Sequence, residues 1–181
     1  MPEFSTIDGR VLGLVLDVSL RFGEDGVRIL DTVKKQLIDY LREDMVGEDL
    51  FYLFHPDILE PVETVGTMVG IVSNFETDGW LYDVSYALMQ TFLVVSSEDE
   101  DYERAMLFIT DRIQDESPVR RLLKMEERNQ SGCKFIFVGI GEQYKQKVFD
   151  DIPFHHLNDP SELASTLMGE VNEEELQCKT S

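Results

Sequence analysis

Apolar residues fall along this chain in two alternating rhythms. Residues 11–16 (VLGLVL) form an unbroken apolar run of the kind seen in strands covered on both faces. Val27, Leu30, Val33, Leu37 and Leu41 then recur at helical spacing, with Lys34, Lys35, Asp39 and Arg42 as the polar side. The alternation continues with strands at 50–54 (LFYLF), 105–109, 134–140 (KFIFVGI) and 154–157, and with helices over 83–94, 117–128, 142–149 and 159–171. Asp159, Pro160 and Glu162 make a strong helix start, with Asp as N-cap, Pro in the first turn and Glu reaching back. Residues 58–65 read as a weak or edge strand, because Pro61 has no N–H for a ladder. Residues 66–79 are rich in small and polar side chains and carry no clear period.

Strands alternating with helices predict an α/β domain, a three-layer, doubly wound, mostly parallel sheet with helices on both faces and one antiparallel edge strand. The 181 residues suit a single domain over 1–171, followed by a polar tail at 172–181.

Charge narrows the partners. Against 36 Asp and Glu stand 16 Lys and Arg, a net charge of −20, which repels nucleic acid and anionic membrane alike. A protein partner with a basic surface is the better expectation. The acidic run 98–103 reads as a solvated loop or, in a functional sense, as a docking patch for such a partner. The longest apolar runs reach less than half of the roughly 20 residues needed to cross a bilayer, and the polar N-terminus has no signal-peptide pattern. Cys133 in an apolar run and Cys178 in the tail make no disulfide framework, so a soluble, intracellular protein, cytoplasmic or nuclear, is expected.

In doubly wound sheets ligands sit beyond the carboxyl ends of the strands, where strand order reverses. Two strands here end in aspartate, Asp17 and Asp111, and Ser19 lies just past the first. Carboxylates and a hydroxyl are hard oxygen donors suited to Mg²⁺. The structural alternative is that strand-end aspartates cap turns and the helices that follow.

Four ordered segments add to this picture: Asp17-Val18-Ser19-Leu20-Arg21 after an apolar strand, residues 82–88 (YDVSYAL), the strand ending in Thr110-Asp111, and residues 135–141 followed by 154–157 and the Asp159 helix start. With these the chain resembles the von Willebrand factor type A domain family over residues 11–171. The resemblance implies a metal-ion-dependent adhesion site of two aspartates, two serines and a threonine. Asp17, Ser19 and Asp111 match it. Arg21 stands at the second serine and Tyr82 at the threonine, with Thr77 replacing it only in a re-registered loop. Arginine has no lone pair for a metal, and a guanidinium beside Asp17 and Asp111 forms a bidentate pair with the carboxylates instead. Arg112 is placed to do the same. The resemblance therefore implies an impaired metal site and no resident cofactor.

No catalytic constellation emerges. Adjacent His155 and His156 point to opposite faces of a strand, Gly139 and Gly141 lack a dinucleotide context, and no serine sits in a nucleophile elbow. The family implies a non-catalytic protein-interaction or scaffold module, with Arg21, Phe75, Trp80, Tyr82 and Arg112 at the rim where members bind ligands. Two other classes stand beside it. One is a Mg²⁺-dependent ligand-binding domain using Asp17, Ser19 and Asp111. The other is a small phosphohydrolase using Asp17, against which the absence of a second aspartate two residues on and of a dedicated lysine argues.

Overall fold

The computed structural model describes residues 9–56, 59–76, 83–112, 115–141, 152 and 154–169. Strands β1 (Arg10–Asp17), β2 (Leu50–Leu53), β3 (Glu103–Thr110), β4 (Lys134–Ile140) and β5 (Phe154–Leu157) form one sheet in the order β2-β1-β3-β4-β5, every pairing parallel. The helices are α1 (Ile29–Asp44), α2 (Val65–Asn74), α3 (Val84–Ser97), α4 (Ser117–Asn129) and α5 (163–169).

Strand alternation splits each apolar run between two cores. Leu12, Leu14 and Leu16 of β1 face α1, α2 and α5, where they meet Leu30, Leu37, Met68, Val72 and Leu167. Val11 and Val15 face α3 and α4 and pack with Leu88, Phe92 and Leu122. Phe135, Phe137 and Phe154 extend the second core as a row of stacked rings, with centroids 5.8 and 5.4 Å apart. Two faces covered by helices make this the three-layer, doubly wound architecture that the alternation predicts. The chain runs outward from β1 to β2 and then crosses back to β3 on the other side of β1. The reversal of order therefore lies between β1 and β3.

The structure departs from the sequence reading in four places. The sheet has no antiparallel edge strand among the described residues. Val62 instead makes a single antiparallel bridge to Phe51, with N···O distances of 2.9 and 2.8 Å. Neighbouring Pro61 cannot continue a ladder. Residues 65–74, without a clear period in sequence, form α2; Gly66 and Gly70 weaken the local preference, and only Met68 and Val72, one turn apart, are buried along it. Val27, assigned to the first helix, lies before α1 and is 44% exposed. The last helix opens with a 3₁₀ turn at Pro160–Glu162, capped by Asp159 Oδ1 accepting from Ser161 N at 2.9 Å. The expected helix at 142–149 and the tail 172–181 fall outside the described residues.

Candidate functional site

β1 and β3 pair along their whole length, so Asp17 lies directly opposite Thr110 and Asp111 stands one residue beyond. Both carboxylates are almost fully buried, with Asp17 5% exposed and Asp111 0%. Thr110 Oγ1 donates to Asp17 Oδ2 at 3.1 Å. On Asp111, Oδ1 accepts the Ser19 N–H at 2.9 Å and Oδ2 accepts the Ser19 hydroxyl.

Arg21 reaches the same point from the loop between β1 and α1. Phe22 and Arg28 bridge antiparallel across that loop, and Gly23 N donates to Val27 O at 2.8 Å. Gly26 turns the chain at φ 76°, a conformation that favours glycine. Ile29 N donates to the Arg21 carbonyl at 2.8 Å, tying the arginine to the first residue of α1. Thus held, Arg21 donates from Nε to Ser19 Oγ at 3.0 Å, and from Nη2 to the Asp111 carbonyl at 2.9 Å and to Asp111 Oδ2 at 3.2 Å. The bidentate carboxylate fork expected from sequence does not form, because Nε is taken by the serine. Arg112 Nε lies 3.9 Å from both Asp17 Oδ1 and Asp111 Oδ1. The two acids thus face two guanidiniums.

Burial raises the pKa of Asp17, opposed by Arg112, by the Thr110 hydrogen bond and reinforced by the negative Asp111. The arrangement is a closed ion-pair and hydroxyl network at the switch point of the sheet, able to present the outer nitrogens of its arginines to an incoming group. Among the described residues, no three histidine, cysteine or acidic side chains gather closely enough to hold a metal ion.

Of the residues singled out from sequence, the fold brings Asp17, Ser19, Arg21, Asp111 and Arg112 together. Phe75 caps the end of α2, packs in the core at 7% exposure and gives its carbonyl to Lys34 Nζ at 2.8 Å. Trp80, Tyr82 and Thr77 lie outside the described residues. Thr110 was not singled out, yet it joins the site; the signal was its place opposite Asp17 once β1 and β3 are neighbours. His156 Nε2 lies 2.6 Å from the Gly141 carbonyl, on the β5 side of the sheet. The acidic loop after α3 is partly tied down, since Glu98 accepts from the Tyr52 hydroxyl and its carbonyl accepts from Arg104 Nη2 at 2.7 Å. No described helix is long and apolar enough to cross a membrane.

No protein-family model matches the chain, and no curated protein matches it in sequence. Solved structures share its fold. Proximal thread matrix protein 1 from the mussel byssus superposes with a TM-score of 0.60 at 15% identity, over 89% of this chain and 47% of its own. BatB from Bacteroides thetaiotaomicron gives 0.59 at 15% identity, over 74% and 67%. The pilus adhesin SpaC from Lactobacillus rhamnosus GG gives 0.65 at 12% identity, over 93% and 30%. The chain thus spans about half of the mussel protein and under a third of the adhesin. At these identities the likeness to all three extends to the fold alone.

Proposed function

We propose that this chain is a protein-interaction module of the von Willebrand A type that works without chemistry of its own and without a divalent ion at its strand-end crevice. The observation that carries this reading is the Arg21 guanidinium lying across Asp111 and Ser19. A divalent ion held by Asp17, Ser19 and Asp111 needs free oxygen lone pairs and net negative charge. Here Asp111 accepts from Ser19 and Arg21, Asp17 accepts from Thr110, and Arg112 faces both acids. As arranged, these donors do not fit the ion. Two positive groups already balance the two negative ones.

The side chains of Arg21 and Arg112 are 49% and 35% exposed at the crevice rim, which suits them to a partner contact. Trp80 and Tyr82 belong to the same proposal as aromatic anchors. That two fold neighbours are a thread matrix protein and a pilus adhesin is in keeping with an interaction role. The buried free thiol of Cys133 fits a reducing, intracellular setting.

The test is capture of partners with and without EDTA, beside a calorimetric titration with Mg²⁺ and Mn²⁺. Capture unchanged by EDTA and no binding heat are expected. Tight binding of either ion, lost in Asp17→Ala, refutes the reading.

A further inference from the structure

A cleft of about 690 Å³ opens beside β2, the edge strand on the side away from β3. Leu53, Val62, Ile71 and Phe75 line it with apolar surface, and Glu60 and Glu63 stand at its rim. Its cause is the departure of the chain from the sheet. Phe54 N donates to Leu14 O at 2.9 Å, so the even-numbered residues of β2 turn their main-chain groups toward β1 and the odd-numbered ones turn outward. Phe51 gives both of its outward groups to Val62. At the next outward residue the partner segment has left, and the N–H and C=O of Leu53 face the cleft with no hydrogen bond to any described residue. Such an unpaired edge position is a template for another strand.

We propose that the outer edge of β2 takes an extended basic segment of a protein partner as an additional strand, its main chain pairing with Leu53 and its Lys or Arg side chains meeting Glu60 and Glu63. The charge chooses the occupant. Glu60 and Glu63 are exposed and make no ion pair with a described residue, whereas Glu76, also on the cleft, is engaged by Arg28 and Lys34. A second copy of the chain brings its own Glu60 and Glu63 and a net charge of −20, so it is repelled where a basic segment is attracted. This edge is separate from the Arg21 crevice and does not depend on it.

The probe is a short peptide of alternating valine and lysine, compared with its valine–glutamate counterpart and with a backbone N-methylated version. Binding is measured by calorimetry and read at the Leu53 amide by NMR and hydrogen exchange. The valine–lysine peptide is expected to shift the Leu53 amide and slow its exchange, while the other two leave it unchanged. Glu60→Lys combined with Glu63→Lys, both at exposed positions, is expected to weaken binding about tenfold or more. Arg21→Ala is expected to leave it unaltered, which keeps a failure here distinct from a failure at the crevice. The proposal is overturned if Leu53 does not respond at saturating peptide, if the valine–glutamate peptide binds equally, or if the charge reversal has no effect. A self-associated protein whose Leu53 amide is already protected gives this edge to a second copy and equally overturns it.

Discussion

The pair formed by Arg21 and Asp111 lends itself to an asymmetric test, because its two ends sit in different media. The Asp111 side chain is 0% exposed and that of Arg21 is 49% exposed. Replacing Asp111 with Ala removes the acceptor of the Ser19 N–H, of the Ser19 hydroxyl and of Arg21 Nη2. Hydrogen bonds to a charged group contribute about 1.5–3 kcal/mol each, but these share one carboxylate, and its removal also relieves repulsion with Asp17. A net loss of about 3 kcal/mol follows, the size of one or two such hydrogen bonds. At about 2–4 °C per kcal/mol for a domain of this size, Tm falls by roughly 6–12 °C. Arg21→Ala leaves Asp111 with both Ser19 donors and with Arg112 Nε 3.9 Å away, and removes only a half-exposed, screened partner, a loss of about 0–1 kcal/mol. Its Tm falls by no more than about 4 °C. Scanning calorimetry on the two variants and the parent protein reads the difference directly. Equal drops, or a larger drop for Arg21→Ala, refute the claim that Asp111 is anchored by Ser19 and only embellished by Arg21.

Further predictions concern other parts of the fold. Gly13 sits mid-strand under α3, where an added Cβ would come 2.7 Å from Thr91 Cγ2 and Val95 Cγ2; Gly13→Ala should cost about 1–3 kcal/mol of overpacking in a urea melt, and an unshifted midpoint shows that α3 yields freely. Burial raises the pKa of Asp17 in the fold, so the native state holds a proton that the unfolded chain has already released. That stability is present at acid pH and lost as pH rises through the raised value. Asp17→Asn should flatten the slope there without lowering stability at neutral pH, and a slope identical to the parent's excludes Asp17 as its source. Burial also pushes the Cys133 thiol up to about 12; with Cys178→Ser in place, the folded protein should resist a thiol reagent at mildly alkaline pH that labels the unfolded chain promptly, and fast labelling of the native state counts against the burial.

Much of this fold was legible because it is built from patterns that act over short range. The apolar run at β1 reads as a strand covered on both faces, and the structure divides its leucines and valines between two cores. Aspartates at strand ends, joined to the switch-point rule, point Asp17 and Asp111 to one crevice. What stayed hidden depended on geometry between distant residues. Arg21 was recognised as a departure, but its division of labour between Ser19 and Asp111 follows from the loop held by the Phe22–Arg28 bridge and the turn at Gly26. Thr110 becomes a site residue only once β3 lies in register beside β1. The helix α2 escaped because two glycines and several β-branched residues mask a face only two residues deep. The edge strand failed for a different reason: Pro61 signalled an edge position but not that pairing would stop after one bridge.

The central pairing of the sheet also fixes a time order. β1 meets β2 across one helix, whereas each residue of β1 meets a β3 partner 93 positions later in the chain. At about 5–20 residues per second, a ribosome needs roughly five to twenty seconds between making the two. During that interval β1 has one free edge, and Asp17 and Ser19 have no Thr110 or Asp111 to bond. Closing so long a loop is the slow, entropically costly part of folding. The crevice therefore forms only when β3 docks on β1. Substitutions there should accelerate unfolding far more than they slow folding, so a weakened site would show itself as a shorter lifetime of the native state before it shows as a failure to reach it.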